Sequence, residues 1–213
     1  MIRGLILDYG EVLCNRPSPH VLERMASSTG IAPEVFAERY QQERGPYDRG
    51  DYSPEEYWSR VAAENIALDD GLLQSLRQWD VEMWSDLNPQ MTGWLDELHG
   101  AGLKTAMLSN MHADMAAHVR RSFDWLQRLD YVVLSCELRL IKPDRAIYER
   151  CVAGLALQPS ETCFIDDREI NVQAAREAGL AALRFQTVEQ LREDLTRLGI
   201  PVLPRANGAS PCA

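Results

Sequence analysis

The sequence predicts an α/β fold, a doubly wound parallel sheet carrying an inserted block of helices. Two observations predict it. From residue 90 to 198, strand-length apolar runs alternate with helix-length amphipathic ones, the pattern of a parallel sheet covered on both faces. Between the first apolar run and that alternation, within an insertion of residues 15–86, residues 19–84 read almost wholly as helix.

The first strand is Leu5-Ile6-Leu7, which delivers one carboxylate, Asp8, to the point where Gly10 must end the strand. A charge at the mouth of a buried parallel strand is costly unless it is used, and such strand ends form the ligand crevice of α/β sheets. The insertion follows, with apolar residues at helical spacing in Val21-Leu22-Met25, Val35-Phe36-Tyr40, Tyr57-Trp58-Val61 and Leu72-Leu73-Leu76. Ser53-Pro54-Glu55-Glu56 is a helix start, with Ser53 as N-cap, Pro54 in first position and Glu56 completing a capping box. Asn88-Pro89 punctuates the chain before the alternation begins.

Helix is expected over 91–100, 112–121, 144–156, 169–178 and 187–198. Strands are expected at Leu103–Leu108, Tyr131–Leu134, Thr162–Ile165 and Leu180–Phe185. Gly102 and Gly179 stand where a helix end takes a left-handed residue before the next strand. The resulting division is a core of residues 1–14 and 87–199, a helical insertion of 15–86, and a loose tail over 200–213 that is rich in proline and small residues.

Composition bounds the function. The chain has 213 residues, 46% hydrophobic and 25% charged, which suits one globular domain with an insertion. A formal charge of −10 without a Lys/Arg cluster argues against nucleic acid and anionic membranes as partners. No apolar run reaches spanning length. Five cysteines (Cys14, Cys136, Cys151, Cys163, Cys212) are odd in number and unpaired by spacing, which fits reduced thiols and a cytoplasmic location. A monomer or a homodimer is equally compatible with these numbers.

Four polar clusters fall at or just beyond the carboxyl ends of the strands: Asp8, Ser109-Asn110, Lys142-Pro143 and Asp166-Asp167. A doubly wound sheet brings such ends to one crevice. Three carboxylates packed together raise one another's pKa, and a hard divalent cation such as Mg²⁺ relieves them. With Lys142 and the Ser109 hydroxyl, the cluster makes a pocket for a phosphoryl group, whose transfer is catalysed mainly by positioning and charge neutralisation. Taken singly, each cluster has a plainer reading: an Asx-turn at Asp166-Asp167, capping at Ser109-Asn110, and a loop lysine before a helix-starting proline at Lys142-Pro143.

In this order and at these positions the clusters resemble the four signature motifs of the haloacid dehalogenase-like hydrolases. Leu13, Asn171, Ala174-Ala175 and Ala178-Gly179 extend the likeness, which covers residues 3–198. The insertion resembles a type 1 cap over a Rossmann-like core. Asp-x-Gly-x-Val at the start, with Asp48-Arg49-Gly50, is similar to bacterial sugar-phosphate phosphatases and to epoxide-hydrolase-associated phosphatase domains. The resemblance implies a Mg²⁺-dependent phosphomonoesterase acting on a small phosphorylated metabolite, sugar-like by this likeness. Asp8 would be the nucleophile that forms an aspartyl-phosphate. Asp8, the main-chain carbonyl of Gly10, Asp166 and Asp167 would hold the metal. Ser109 and the Asn110 main-chain N–H would bind the phosphoryl oxygens, and Lys142 would pair with Asp8 and the phosphate.

One position departs from the family pattern. Phosphatases of this kind carry a second aspartate two residues after the nucleophile, as acid for the leaving group, and here that residue is Gly10. General acid–base help is worth about 10²–10⁴-fold. Its loss points to a substrate with an easy leaving group, to Glu11 as a replacement acid, or to a slow or non-catalytic relative. A 2-haloacid dehalogenase, which lacks the second aspartate as well, is a further alternative, though Asp166-Asp167 would then stand as an unneutralised pair before an anionic substrate. Among the remaining polar residues, Arg49 and Tyr47 are candidates to project into the crevice, and His112 is expected to be a solvated helix start.

Overall fold

The computed structural model describes residues 1–62 and 68–200. The tail expected over 200–213 lies, beyond Ile200, outside the described residues. A five-stranded parallel sheet forms the centre, in the order β3-β2-β1-β4-β5. Its strands are β1 (Gly4–Leu7), β2 (Lys104–Ser109), β3 (Tyr131–Leu134), β4 (Thr162–Asp166) and β5 (Ala181–Arg184). The middle strand is β1, with Leu7 beside Met107 of β2 and Ile165 of β4.

The alternation of side chains along a strand divides the core in two. Leu5 and Leu7 of β1, Met107 of β2 and Ile165 of β4 pack on one face. There they meet α5 (Pro89–Gly100), α6 (Ala113–Ser122) and α10 (Val188–Arg197) through Trp94, Leu98, Val119 and Leu191. Ile6, Ala106 and Phe164 face the other side, against α8 (Arg145–Gly154) and α9 (Glu169–Glu177) through Tyr148, Val152 and Val172. Each such aliphatic or aromatic side chain contributes about 1.5–3 kcal/mol by leaving water.

The expected helices and strands are all present, with ends shifted by a residue or two. The first strand stops earlier than expected, at Leu7, so Asp8 stands just past the sheet. Residues Tyr9–Leu13 form a tight, kinked turn, in which Gly10 is extended (φ −61°, ψ 128°) and Glu11 is left-handed (φ 53°). A short helix, α7 (Ser135–Leu138), follows β3 and was not expected from the sequence.

Among the described residues, the insertion forms α1 (Pro19–Thr29), α2 (Pro33–Arg49), α3 (Pro54–Ala62) and α4 (Asp70–Met83). Ser53 and Glu56 make the reciprocal capping box expected at the start of α3, with Glu56 N donating to Ser53 Oγ at 3.2 Å and Ser53 N to Glu56 Oε2 at 2.7 Å. The four helices carry their own core of Phe36, Tyr40, Tyr57, Trp58, Val61 and Leu76. Tyr47 and Tyr57 stack with centroids 4.0 Å apart. The chain enters and leaves this block side by side, with Asn15 N donating to Asp86 O at 2.7 Å and Asn88 N to Leu13 O at 2.9 Å. Against the sheet domain, α2 rests on α7 and α4 on α6.

Candidate active site

Three adjacent strands end on the same crevice. Asp8 follows β1, Ser109 closes β2 and Asp166 closes β4, and the loop after β3 carries Lys142 into their midst. The parallel register fixes this: Asp8 N donates to Ile165 O at 2.9 Å, so the two carboxylates must be neighbours. The cavity in front of them holds about 560 Å³ and is lined by the sheet ends, by residues of α2, by Trp84 just past α4 and by the Gly10 turn.

Lys142 is the hub. Its ammonium lies 2.7 Å from Asp8 Oδ1 and 2.7 Å from Asp166 Oδ2, with almost no exposure to solvent. Asn110 holds it there from both sides: its side-chain amide donates to Lys142 O at 2.9 Å, and its Oδ1 accepts from Lys142 N at 2.8 Å. The Lys142–Pro143 peptide bond is cis. Asp166 is the better satisfied carboxylate, since Arg168 N donates to its Oδ1 at 2.9 Å and Asn171 Nδ2 at 3.0 Å. The Asx-turn reading and the charge-cluster reading of Asp166 are therefore both true. Asp8 Oδ1 also accepts from Tyr9 N at 2.7 Å.

One ammonium cannot balance three acids. Ligand oxygens of Asp8, Asp166 and Asp167 all lie within 4.8 Å of one another. Burial raises the pKa of Asp8, Lys142 lowers it, Asp166 and Asp167 raise it again, and the net direction is well up. Burial also works on Asp166, but there Lys142 and the donated hydrogen bonds win and hold it below the usual carboxylate range. Asp167 is pushed up to about 6 by burial, by Asp166 and by Glu11. A hard divalent cation fits this deficit: the donors are carboxylate oxygens, the set is anionic, and Asp167 faces the cavity. Ser109, 3% exposed, lines the same cavity, and among the described residues its hydroxyl makes one hydrogen bond, a long 3.4 Å donation to Asn110 O.

Gly10 lies on the cavity wall, and a Cβ built there would meet only the Trp84 ring, Cζ3 at 3.6 Å. Glu11, the expected replacement acid, reaches the wall too, but its carboxylate is bonded to Arg16 Nε at 2.7 Å. Arg49 corrects a sequence expectation. It does not line the cavity, and its guanidinium is turned to Asp51, with Nε to Oδ2 at 2.7 Å. Five residues earlier, Arg44 does line the cavity, because α2 turns that face inward.

Arg44 belongs to a buried ionic cluster that joins the insertion to the core. Its guanidinium pairs with Asp48 at 2.9 Å and Asp80 at 2.9 Å, and Asp80 accepts from Tyr40 OH at 2.6 Å. The fourth member is His112, from the loop after Ser109, whose Nε2 lies 3.1 Å from Asp80 Oδ2. His112 is fully buried and stacked on Tyr47 at 4.7 Å, so the expectation of a solvated helix start is overturned, as is the expectation that Tyr47 projects into the crevice. A second tie runs beside it: Ser135 Oγ donates to Asp48 O at 2.5 Å and accepts from Met111 N at 2.8 Å. Sequence reading missed Trp84, Arg44 and Asp80 as site residues. The Arg44–Asp48 spacing of one helical turn was the signal available for two members of the cluster.

Four cysteines, Cys14, Cys136, Cys151 and Cys163, are described and are free. Among the described residues no helix is long and apolar enough to cross a membrane.

A family model described as haloacid dehalogenase-like hydrolase matches residues 2–179. The chain is 27% identical over 144 residues to (S)-2-haloacid dehalogenase 1 of Pseudomonas sp. (strain CBS-3), covering 65% of this chain and 63% of that protein. It is 25% identical over 184 residues to the sesquiterpene phosphatase astK of Aspergillus oryzae, covering 86% of this chain and 89% of that one. Other curated relatives are much longer, and the matched segment spans 11% of the mouse acyl-CoA dehydrogenase family member 10. Among solved structures, a HAD family enzyme from Bacteroides thetaiotaomicron in complex with magnesium and inorganic phosphate superposes with a TM-score of 0.73. That comparison covers 87% of this chain and 95% of the other at 21% identity.

Proposed function

Since this chain belongs to the haloacid dehalogenase-like hydrolases, we propose that it hydrolyses small phosphate monoesters, with Asp8 as nucleophile. The observation that carries the reading is the anionic trio of Asp8, Asp166 and Asp167 around a single buried Lys142. Asp8, Asp166, Asp167 and the carbonyl of Gly10 would hold Mg²⁺. When bound, the cation supplies charge neutralisation for the carboxylates and for the incoming phosphoryl oxygens.

The chain's own residues do the rest. Lys142 keeps Asp8 oriented through Oδ1, which leaves the other carboxylate oxygen to approach phosphorus. A bond forms between that oxygen and phosphorus while the bond to the leaving oxygen breaks, and the leaving oxygen takes the electron pair. Ser109 Oγ donates to the transferring phosphoryl group, and Asn110 holds Lys142 beside it. A water molecule then bonds to phosphorus and the bond between phosphorus and the Asp8 oxygen breaks, which returns the carboxylate. The water's protons end on phosphate and on the released alcohol. The helical insertion serves as a cap, excluding bulk water from this step.

A panel of phosphate esters with and without Mg²⁺, run on wild type and Asp8→Asn, tests the reading. Cation-dependent turnover lost in Asp8→Asn supports it, and equal behaviour of the two proteins on every ester would sink it.

A second reading is favoured by Gly10 and by the dehalogenase relative. In it, Asp8 attacks carbon of a 2-haloacid. Chloride release from chloroacetate without Mg²⁺ would establish that reading instead.

A further inference from the structure

The structure says more about which ester this site takes, an inference that rests on the proposed phosphatase reading. Two observations bear on the leaving-group side of the cavity. Gly10 places no proton donor there, and the space beyond it is closed by an indole: the nearest atom to a Cβ at residue 10 is Trp84 Cζ3, at 3.6 Å. Trp84 is fixed in place. Its carbonyl accepts from Tyr9 OH at 2.5 Å, and its Nε1 is 3.4 Å from Tyr40 OH. Met111 and Met115, soft thioethers that pack well against rings, also line the cavity and belong to the core cluster on which Trp84 packs. Arg44, the cation that α2 brings to the cavity, is already matched by Asp48 and Asp80, so it is not free to pair with a charged leaving group.

We infer that the site takes aryl phosphates or closely related esters of flat, acidic hydroxyls, and that Trp84 is a specificity-determining residue which stacks on the leaving ring. The chemistry agrees with the geometry. A phenol-type oxygen has a pKa of about 10, against about 16 for water-like alcohols, so it departs as the anion without an acid at residue 10. The sugar-like substrate expected from the sequence lacks both the low pKa, except at an anomeric oxygen, and the flat face.

The test compares 1-naphthyl phosphate, glucose 6-phosphate and acetyl phosphate on wild type, Trp84→Leu and Trp84→Phe, all with Mg²⁺. Calorimetric binding of phenylphosphonate and methylphosphonate runs alongside. Naphthyl phosphate is expected to exceed glucose 6-phosphate in kcat/KM by at least 100-fold. In Trp84→Leu the ratio of naphthyl to acetyl phosphate kcat/KM is expected to fall about 3–10-fold, the range that aromatic stacking supports, chiefly through KM, with Trp84→Phe restoring most of it. Acetyl phosphate turnover in the same variant reports that the protein is folded. Phenylphosphonate should bind more tightly than methylphosphonate, and the difference should shrink in Trp84→Leu. Turnover of all three phosphates with no aryl preference, or an unchanged ratio in Trp84→Leu, would overturn the inference alone. Aryl-selective binding without turnover of any ester would overturn the phosphatase reading, and the substrate inference with it, while leaving Trp84 as an aromatic-binding residue.

Discussion

His112 Nε2 lies 3.1 Å from Asp80 Oδ2, joining a core loop to an insertion helix where neither side chain reaches solvent. Because His112 is three residues past Ser109, the pair ties the helical block to the loop that carries that hydroxyl. Burial would raise Asp80, but Arg44, His112 and Tyr40 outweigh it and hold the carboxyl well below its usual range.

Asp80→Asn is expected to cost about 3–5 kcal/mol, because Arg44 is left buried with only Asp48. The pH dependence has a definite sign. A carboxyl depressed in the folded state stabilises above its unfolded pKa of about 3.9 and loses that stabilisation as pH falls toward its folded value. Asp48, raised by burial against the pull of Arg44 and His112, acts in the opposite sense. Urea unfolding between pH 3 and 7 should therefore show a shallower acid limb in Asp80→Asn than in wild type.

Lys142→Met removes the one cation shared by Asp8 and Asp166. Turnover of a reactive acyl phosphate such as acetyl phosphate is expected to fall at least 100-fold, a loss of about 3 kcal/mol of transition-state stabilisation. Lys142→Arg is not expected to rescue it, since the Asn110 clamp and 3% exposure leave no room for a planar guanidinium. Steady-state kinetics of the two variants check this.

Gly10→Asp is expected to be tolerated. Gly10 has φ −61° and ψ 128°, which any L-residue adopts, and a Cβ there makes only ordinary contact with Trp84. The new carboxyl should accelerate alkyl phosphates by about 10²-fold while changing aryl phosphates little, because only the former need a proton. Leaving-group plots for both proteins measure the difference as a change in slope.

Mg²⁺ should raise the melting temperature of the wild type, and chelation should reverse it. At a cation concentration of about 100 Kd the stabilisation is about 2.7 kcal/mol. Asp167→Asn is expected to lose most of this shift, because it removes a donor while leaving the Lys142 pairs intact. Calorimetric melting with and without the metal reads this independently of turnover.

Gly50 ends α2 at φ +81°, and a Cβ there would come within 3.1 Å of Cys136 O. Gly50→Ala should cost about 1–3 kcal/mol in backbone strain. Since the crowded carbonyl belongs to α7, the variant should loosen α2 from the sheet domain, which limited proteolysis would reveal as earlier cleavage in the insertion.

The sheet and the motif residues were legible because both are strand-end properties. Apolar runs of strand length mark the sheet, and polar residues just after them mark its carboxyl edge. Beyond the Arg44–Asp48 spacing, the ionic cluster was not legible, because Arg44, Asp80 and His112 meet only through the packing of α2 and α4 on the core. Arg49 and Arg44 show the same limit: both lie on one helix, and only its rotation against the sheet decides which faces the cavity. Trp84 was missed because its link to the Gly10 turn, where Tyr9 OH donates to the Trp84 carbonyl, joins residues far apart in the chain. His112 read as solvated because its cover, Tyr47 and Asp80, comes from a different part of the sequence.

The strand order has a consequence for how the protein comes into being. β1 lies between β2 and β4, so the groups at residues 8, 109, 142 and 166 meet only when distant stretches of chain have paired in parallel. Such non-local pairing is slow to form, because chain entropy is lost before any contact rewards it. A nascent or half-refolded chain that has not paired these strands has no assembled reaction centre, whatever helix it has formed. Recovered activity during refolding will report completion of the sheet, whereas recovered helicity will report far less.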